Sequence, residues 1–146
     1  MRSNGTVKDL SIISHAMGGF TGHLDNNVLF GWSVCCLGDL DGDGIAIDLA
    51  VGAPASGGVG AVWIMFLHQN GTVKGHQNIS DTQGGFNGEL ITGGDFGRSV
   101  AYLGDIDFDG ITDMAVGAPR DGAGTIWILF LQRNGTVKSQ FKIGSN

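Results

Sequence analysis

Residues 96–119 read FGRSVAYLGDIDFDGITDMAVGAP, and residues 30–54 read FGWSVCCLGDLDGDGIAIDLAVGAP. In each stretch a strand-like run leads into a turn rich in aspartate and glycine. A second strand-like run follows and stops at a proline, which cannot donate a hydrogen bond to a β-ladder. Two copies of one pattern indicate an internal repeat that organises the chain.

The repeat extends over nearly the whole chain. Asn-Gly-Thr-Val-Lys occurs at 4–8, 70–74 and 134–138, and Gly-Gly-Phe occurs at 18–20 and 84–86. Each unit has four strand-like segments: the third is a continuous apolar run, typical of a strand covered on both faces, and the fourth follows an Asn-Gly hairpin turn. These segments are 33–37, 48–53, 61–67 and 72–79 in the first unit, and 99–103, 113–118, 125–131 and 136–143 in the second.

A four-stranded antiparallel sheet that recurs in tandem about every 65 residues is typical of a β-propeller blade. The sequence therefore predicts an all-β fold of two blades, formed by 15–80 and 81–146. A β-sandwich is the competing architecture, but it does not explain why the units match so closely in register. Because the Asn-Gly-Thr-Val-Lys segment occurs three times, residues 1–14 are predicted to form an extra outer strand that acts as a clasp between neighbours.

Two blades are too few for a ring, which usually has about four to eight. Alone, they would leave apolar blade faces and open sheet edges in water. The chain is therefore expected to associate with copies of itself, as a trimer with six blades or a tetramer with eight. The alternative is that the remaining blades of a longer chain complete the ring.

The two aspartate-rich turns have the spacing of a cation-binding loop. Carboxylates occupy the first, third and fifth positions, glycine allows a sharp bend at the sixth, and a backbone carbonyl is available at the seventh. This spacing places oxygen ligands around one hard cation, as in the first part of an EF-hand loop. The candidate ligands are Asp39, Asp41, Asp43, Ile45 and Asp48 in the first loop, and Asp105, Asp107, Asp109, Ile111 and Asp113 in the second.

Charge and ligand type favour calcium at both loops. Carboxylates drawn together repel one another, and neither loop contains Lys or Arg, so either they are protonated or a divalent cation lies among them. Mg²⁺ prefers strict octahedral sites with several waters, and Zn²⁺ prefers His or Cys, which both loops lack. The first loop has one extra residue before Asp48, which a bulge must absorb if Asp48 is to keep its place. The alternative is that Asp and Gly simply favour turns here.

The two quoted stretches resemble FG-GAP repeats of the integrin α-subunit propeller type, named for the Phe-Gly and Gly-Ala-Pro elements that both contain. The resemblance implies a calcium site in the hairpin between the first and second strands of each blade. It also implies an extracellular or cell-surface propeller, commonly seven-bladed, that serves adhesion or ligand binding. An ordinary EF-hand is excluded, because its twelfth position requires a glutamate and is Val116 in the second loop.

Trp32 and Arg98 are candidate ligand contacts. They occupy equivalent positions beside the Phe-Gly element but differ between the units, which indicates an exposed site. Trp63 and Trp127 instead recur within apolar strands and are predicted to be core residues. A lectin-like propeller with Trp32 as an aromatic platform for carbohydrate is one alternative function. A non-catalytic propeller segment of a larger extracellular enzyme is another.

The rest of the sequence argues against several classes of protein. The net charge is −6 with no basic run, so neither nucleic acid nor an anionic membrane surface is an expected partner. The longest apolar run, 61–67, is far shorter than the roughly 20 residues that cross a bilayer, so membrane insertion is not expected. The N-terminus has no apolar core of a signal peptide. No nucleophile elbow, phosphate-binding loop or Cys-His pairing is recognisable, so the chain is predicted not to be an enzyme.

Overall fold

The computed structural model describes residues 2–144 and contains two four-stranded antiparallel sheets. Strands that follow one another in the chain also pair within each sheet, so the predicted all-β fold of two blades is confirmed, and the two blades do not close a ring. Blade 1 comprises β1 (Ser33–Gly38), β2 (Asp48–Ala53), β3 (Ala61–Leu67) and β4 (Val73–Ile79), and blade 2 comprises β5 (Ser99–Gly104), β6 (Asp113–Ala118), β7 (Thr125–Leu131) and β8 (Val137–Gly144).

The blades pack face to face, with their first strands β1 and β5 lying against each other. Val62 and Ile64 of β3 are fully buried and share one apolar cluster with Val116, Trp127 and Leu129 of blade 2. Burial of each such large side chain contributes about 1.5–3 kcal/mol relative to leaving it in water. The main core therefore lies between the blades and holds them together.

Coverage of the central strands differs between the blades. All seven residues of β3 are buried, as expected for a strand covered on both faces. The same expectation is wrong for β7, where buried and more accessible residues alternate and Ile126 is 48% exposed. The reason is that blade 2 covers one face of blade 1, whereas nothing within residues 2–144 covers the corresponding face of blade 2.

The N-terminal part of the chain covers the second face of blade 1. Phe20 is buried there and meets Trp63 edge-on, with 5.2 Å between the ring centroids. Val73 and Met65 belong to the same cluster, and Ile13 packs against it. Trp63 and Trp127 are thus both buried core residues, as predicted.

Residues 2–14 form no strand within this single chain, and their pairing with a neighbour as an extra outer strand stays a prediction. Residues 2–14 contain turns and irregular backbone, with a single bridge from Ser14 to Met17. The other two copies of this segment become β4 and β8 because each pairs with the third strand of its own unit. Within residues 2–144, no third strand lies before the first copy for it to pair with. Met1, Ser145 and Asn146, which belong to the predicted segments 1–14 and 81–146, lie outside the described residues.

The Phe-Gly element forms the seam between the blades. Phe96 pairs with Gly60 in a parallel bridge, and the Ser33 hydroxyl donates to the Gly97 carbonyl at 2.9 Å. A Cβ atom on Gly97 would lie 2.3 Å from the Ala61 carbonyl oxygen. The seam therefore depends on a backbone approach that only glycine allows.

Within each blade, Phe-Gly also binds Gly-Ala-Pro. The Gly31 amide donates to the Gly52 carbonyl, and the Gly97 amide donates to the Gly117 carbonyl, both at 3.1 Å. The two elements that recur in the sequence are thus hydrogen-bonded partners in the fold. Across residues 2–144, no helix combines the length and apolar character needed to cross a membrane.

Candidate metal centres

The two aspartate-rich loops are the hairpin turns β1–β2 and β5–β6. Three carboxylates converge in each loop, and each offers an oxygen within 4.8 Å of the others. The converging residues are Asp39, Asp41 and Asp43 in the first loop and Asp105, Asp107 and Asp109 in the second. The structure therefore brings together the carboxylates at the first, third and fifth positions of both loops.

Backbone amides orient these carboxylates. Both oxygens of Asp105 accept such bonds, whereas three other carboxylates accept through Oδ1 alone. The Asp43 amide donates to Asp41 Oδ1 at 3.2 Å, and the Ile45 amide donates to Asp43 Oδ1 at 2.7 Å. In the second loop the Ile111 amide donates to Asp109 Oδ1 at 2.9 Å. Such local side-chain to backbone bonds are typical of Asp in turns. The Oδ2 atoms of Asp41, Asp43 and Asp109 remain for a cation.

A lysine from the fourth strand of each blade contacts these Oδ2 atoms. Lys74 Nζ lies 2.8 Å from Asp41 Oδ2 and also contacts Asp43 Oδ2. Lys138 Nζ lies 2.5 Å from Asp107 Oδ2 and also contacts Asp109 Oδ2. The expectation that no basic residue offsets the loop charge is therefore wrong, because it considered only residues within the loops.

These ion pairs shift the pKa values of both partners. The hydrogen bond from Lys74 lowers the pKa of Asp43, and the hydrogen bond from Lys138 lowers the pKa of Asp109. The same bonds raise the pKa of both lysines. The lowered pKa favours the ionised form of Asp43 and Asp109, which is the form that ligates a metal.

The sequence marks these lysines by a recurring segment that lies outside the loops. Each is the last residue of an Asn-Gly-Thr-Val-Lys segment, at 70–74 or 134–138. In an antiparallel meander the first and third turns lie at the same end of the sheet. A lysine at the start of the fourth strand is thus placed beside the loop between the first and second strands.

Asp48 and Asp113 have a different role from the converging carboxylates. Both are fully buried and stand outside the groups of three. Asp48 accepts hydrogen bonds from the amides of Leu40 and Leu67, both at 3.0 Å. Asp113 accepts from the equivalent amides of Ile106 at 3.0 Å and Leu131 at 3.1 Å. Each buried carboxylate therefore ties its loop to the end of the third strand.

Burial raises the pKa of Asp48 and of Asp113, since desolvation disfavours the charged form. The backbone hydrogen bonds act in the opposite direction and lower the pKa, but with a smaller effect. These two residues were predicted as metal ligands, and in this structure their oxygens are engaged by backbone amides.

The extra residue of the first loop is absorbed by a tight turn before β2. The Ile47 amide donates to the Ile45 carbonyl at 2.9 Å. As a result, Asp48 pairs with Gly38 in the same way that Asp113 pairs with Gly104. Asp48 therefore keeps its place in the repeat, although the Ile45 carbonyl, a predicted ligand, already accepts this hydrogen bond.

The residues present fit calcium. Calcium takes six to eight oxygen ligands at about 2.3–2.6 Å in a flexible geometry. The side chains that converge in both loops are carboxylates, and Asp39 Oδ1 is buried without a hydrogen-bond partner. The lysine ammonium groups show that a cation is already accommodated against the Oδ2 atoms. Calcium would supply charge neutralisation there and crosslink three positions of each turn.

Trp32 and Arg98, the predicted ligand contacts, meet each other across the blade boundary. The Arg98 guanidinium carbon lies 4.2 Å from the centroid of the Trp32 ring, within the range of a cation–π interaction. Arg98 Nη1 also donates to Asp95 Oδ2 at 3.2 Å. Trp32 remains 49% exposed, in agreement with the expectation of an accessible side chain.

Phe108 in the second loop has an unfavourable backbone conformation. Its φ is 62°, in the left-handed region, and its side chain is 91% exposed. The equivalent residue of the first loop is Gly42, with a φ of 79°. Since the exposed ring contributes little burial to offset this strain, Phe108→Asn is expected to stabilise the isolated chain by about 1 kcal/mol, because Asn tolerates this region better.

The stability of Phe108→Asn is measured by urea denaturation in the presence of a chelator. Ile106→Asn is the matched control, because Ile106 lies in the same loop and its φ is not positive. We expect Phe108→Asn to raise the free energy of unfolding and Ile106→Asn not to raise it. A Phe108→Asn variant no more stable than the parent chain would show that the strain is absent or offset by contacts of the ring.

Two face-packed antiparallel blades, each with an acidic loop in its first hairpin, define the chain as a β-propeller module. Residues 30–65 and 96–129 each match the model of the FG-GAP repeat family. The chain therefore belongs to the FG-GAP repeat family.

Several integrin α subunits are similar to this chain. It is 37% identical to integrin alpha-6 of Gallus gallus over 110 residues, or 73% of this chain and 9% of the relative. It is 34% identical to integrin alpha-4 of Xenopus laevis over 112 residues, or 75% of this chain and 10% of the relative. Integrin alpha-PS3 of Drosophila melanogaster is 37% identical over 113 residues, or 73% of this chain and 9% of the relative. The chain thus spans about a tenth of the length of these curated relatives.

Proposed function

We propose that this chain is a calcium-binding, non-catalytic propeller module that acts outside the cell in adhesion or protein interaction. The observation that carries the proposal is the pair of equivalent loops, in each of which three carboxylates converge. Backbone amides donate hydrogen bonds to some of the carboxylate oxygens and so orient the side chains. Calcium would bind one site per blade and have a structural role, since a ligand that binds only the folded state stabilises it.

The proposed calcium sites are tested by thermal unfolding in millimolar calcium and in chelator. Calcium is expected to raise the Tm by several degrees, because binding to the folded state adds stability by mass action. Asp107→Ala and Asp109→Ala are each expected to lower the Tm in calcium. Asp25→Ala, an exposed aspartate outside both loops, is the control, and magnesium at the same concentration tests the selectivity.

The same Tm with calcium and with chelator would contradict the calcium proposal. So would a Tm in calcium that neither Asp107→Ala nor Asp109→Ala lowers. Because each blade has its own loop, the Asp109→Ala chain is expected to retain part of the calcium effect through the first loop. Adding Asp43→Ala to that variant is expected to remove the remainder.

The exposed face of blade 2 supports the proposal that further blades complete the ring. Ile126 and Ile143 pair with each other on β7 and β8, and both are about half exposed. Their equivalents in blade 1, Val62 and Ile79, also pair and are fully buried against blade 2. A further blade would cover Ile126 and Ile143 in the same way, either from a copy of this chain, as a trimer or tetramer, or from a longer parent chain.

Light scattering with and without calcium separates these two sources of blades. A defined trimer or tetramer in calcium supports assembly from copies of this chain. A monomer, or a polydisperse aggregate in both conditions, supports completion by a longer chain. In either case the apolar face of blade 2 is expected to be the surface that the next blade covers.

Carbohydrate binding is the second candidate function, favoured by the accessible indole of Trp32. Aromatic rings can pack against the apolar faces of sugars, and Arg98 lies over the same ring at 4.2 Å. Binding to a glycan array that is lost in Trp32→Ala would support this function. Binding that Trp32→Ala leaves unchanged would exclude Trp32 as the platform.

A further inference from the structure

Two lysines occupy the carboxylate oxygens that calcium would need. Lys74 Nζ contacts the Oδ2 atoms of Asp41 and Asp43, and Lys138 Nζ contacts the Oδ2 atoms of Asp107 and Asp109. These aspartates lie at the third and fifth positions of the proposed calcium loops. The side chain of Lys74 is 19% exposed and that of Lys138 is 35% exposed, so both are partly covered where they meet the loops.

The fold places both lysines by the same means. Asn70 Oδ1 accepts hydrogen bonds from the amide of Thr72 at 3.0 Å and from its hydroxyl at 2.7 Å. The amide of Val73 then donates to the Gly18 carbonyl at 2.8 Å, and the valine side chain is buried. Since neighbouring side chains on a strand point to opposite faces, burial of the valine directs Lys74 away from this core and toward the loop.

Blade 2 repeats this arrangement. Asn134 Oδ1 accepts from the amide and hydroxyl of Thr136 at 3.0 and 2.7 Å. The amide of Val137 donates to the Gly84 carbonyl at 2.8 Å, and the valine is buried. The contact between lysine and loop is therefore a feature of the repeat unit, formed twice from the same recurring segment.

We propose that Lys74 and Lys138 set the calcium affinity of the two loops by competing with the metal for the same carboxylates. This inference rests on the proposed calcium-binding function. An oxygen that ligates calcium at about 2.3–2.6 Å cannot keep an ammonium group in direct contact without strong repulsion between the two cations. Calcium must therefore displace the ammonium group, and the cost of that displacement weakens calcium binding.

The same contacts have a second consequence in the absence of calcium. With the lysine in place, the converging carboxylates of each loop have a counter-ion that belongs to the chain itself. Repulsion among them is reduced, and the loop keeps its conformation. The lysines thus make the module less dependent on calcium for its fold, while they raise the calcium concentration at which the loops are filled.

The test measures calcium binding by calorimetry in the whole chain at physiological salt. The variants are Lys74→Met, Lys138→Met and the double variant, because Met keeps an unbranched apolar side chain and removes the charge. Lys8→Met is the matched control, since Lys8 ends the first copy of the recurring segment and precedes both loops. Each loop variant is expected to bind calcium roughly tenfold more tightly at its own loop. Lys8→Met is expected to bind calcium with the same affinity as the parent chain.

Thermal unfolding in chelator supplies a readout that does not involve calcium. The double variant is expected to have a lower Tm than the parent chain and Lys8→Met, because its loops lose their counter-ions. Lys74→Gln and Lys138→Gln, which keep a polar side chain without charge, are expected to behave as the Met variants do. They serve as replacements if a Met variant does not fold.

The outcomes separate this inference from the function on which it rests. Calcium binding with the same Kd in the parent chain and the double variant would overturn the competition and leave the calcium sites intact. Absence of calcium binding in both chains would overturn the proposed calcium function and the competition with it. Binding that appears only after the lysines are replaced would support the competition in its strongest form.

Discussion

Gly97→Ala is expected to lower the free energy of unfolding by about 3 kcal/mol or more, or to prevent folding. Gly97 has a φ of 89°, a left-handed conformation that costs an L residue about 1–2 kcal/mol. A Cβ atom there would also lie 2.3 Å from the Ala61 carbonyl oxygen and 3.4 Å from the Ala53 amide nitrogen. Both neighbours are backbone atoms of blade 1, so relief of the clash requires the seam to open.

Gly31→Ala is the matched control for this prediction. Gly31 is the equivalent glycine of blade 1 and has a φ of 88°, but a Cβ atom there would meet nothing within 4 Å. This variant is expected to lose only about 1–2 kcal/mol of unfolding free energy, the cost of the left-handed backbone conformation. Urea denaturation of both variants in chelator measures the difference. Equal losses would show that the close approach at the seam does not contribute to stability.

Asp48→Ala is expected to destabilise the chain by about 3 kcal/mol, because it leaves buried backbone donors without an acceptor. The carboxylate accepts from the amides of Leu40 and Leu67 at 3.0 Å and from that of Asp41 at 3.4 Å. Burial raises the pKa of Asp48, because the charged carboxylate is desolvated. The alanine variant does not incur this desolvation cost, which offsets part of the loss. The loss of two well-formed buried hydrogen bonds is the larger effect.

The control for Asp48→Ala is Asp25→Ala, which removes an exposed aspartate and is expected to change stability by no more than about 0.5 kcal/mol. Both are compared by urea denaturation in chelator, so that calcium does not contribute. Hydrogen exchange at the Leu67 amide reports directly on the lost bond and is expected to accelerate. An Asp48→Ala chain as stable as Asp25→Ala would mean that this carboxylate does not support the loop.

Local sequence signals predict the strands, their grouping into two blades and the position of the acidic loops. The apolar run 61–67, the Asn-Gly turn after it and Pro54 are all local signals, since each acts through neighbouring residues or its own backbone. Their recurrence in 96–143 identified the blade as the unit. The convergence of the first three carboxylates in each loop was also predictable, because a turn of fixed spacing brings its own side chains together.

The partners that these local elements contact depend on the tertiary fold. It placed Lys74 and Lys138 on carboxylates about 30 residues away, which no loop-by-loop count of charge could include. It turned Asp48 and Asp113 toward backbone amides at the ends of β3 and β7, rather than toward the converging carboxylates. These contacts depend on how the strands of each sheet are ordered.

The sequence pattern likewise did not predict which elements pair with or cover each segment. Residues 1–14 carry the same signal as β4 yet form no strand in their described part, because a strand needs a partner as well as a propensity. Ile126 follows the pattern of Val62 and is nevertheless half exposed, because burial requires a covering blade. Local sequence specified each blade, whereas long-range packing decided what covers it and which charges its loops meet.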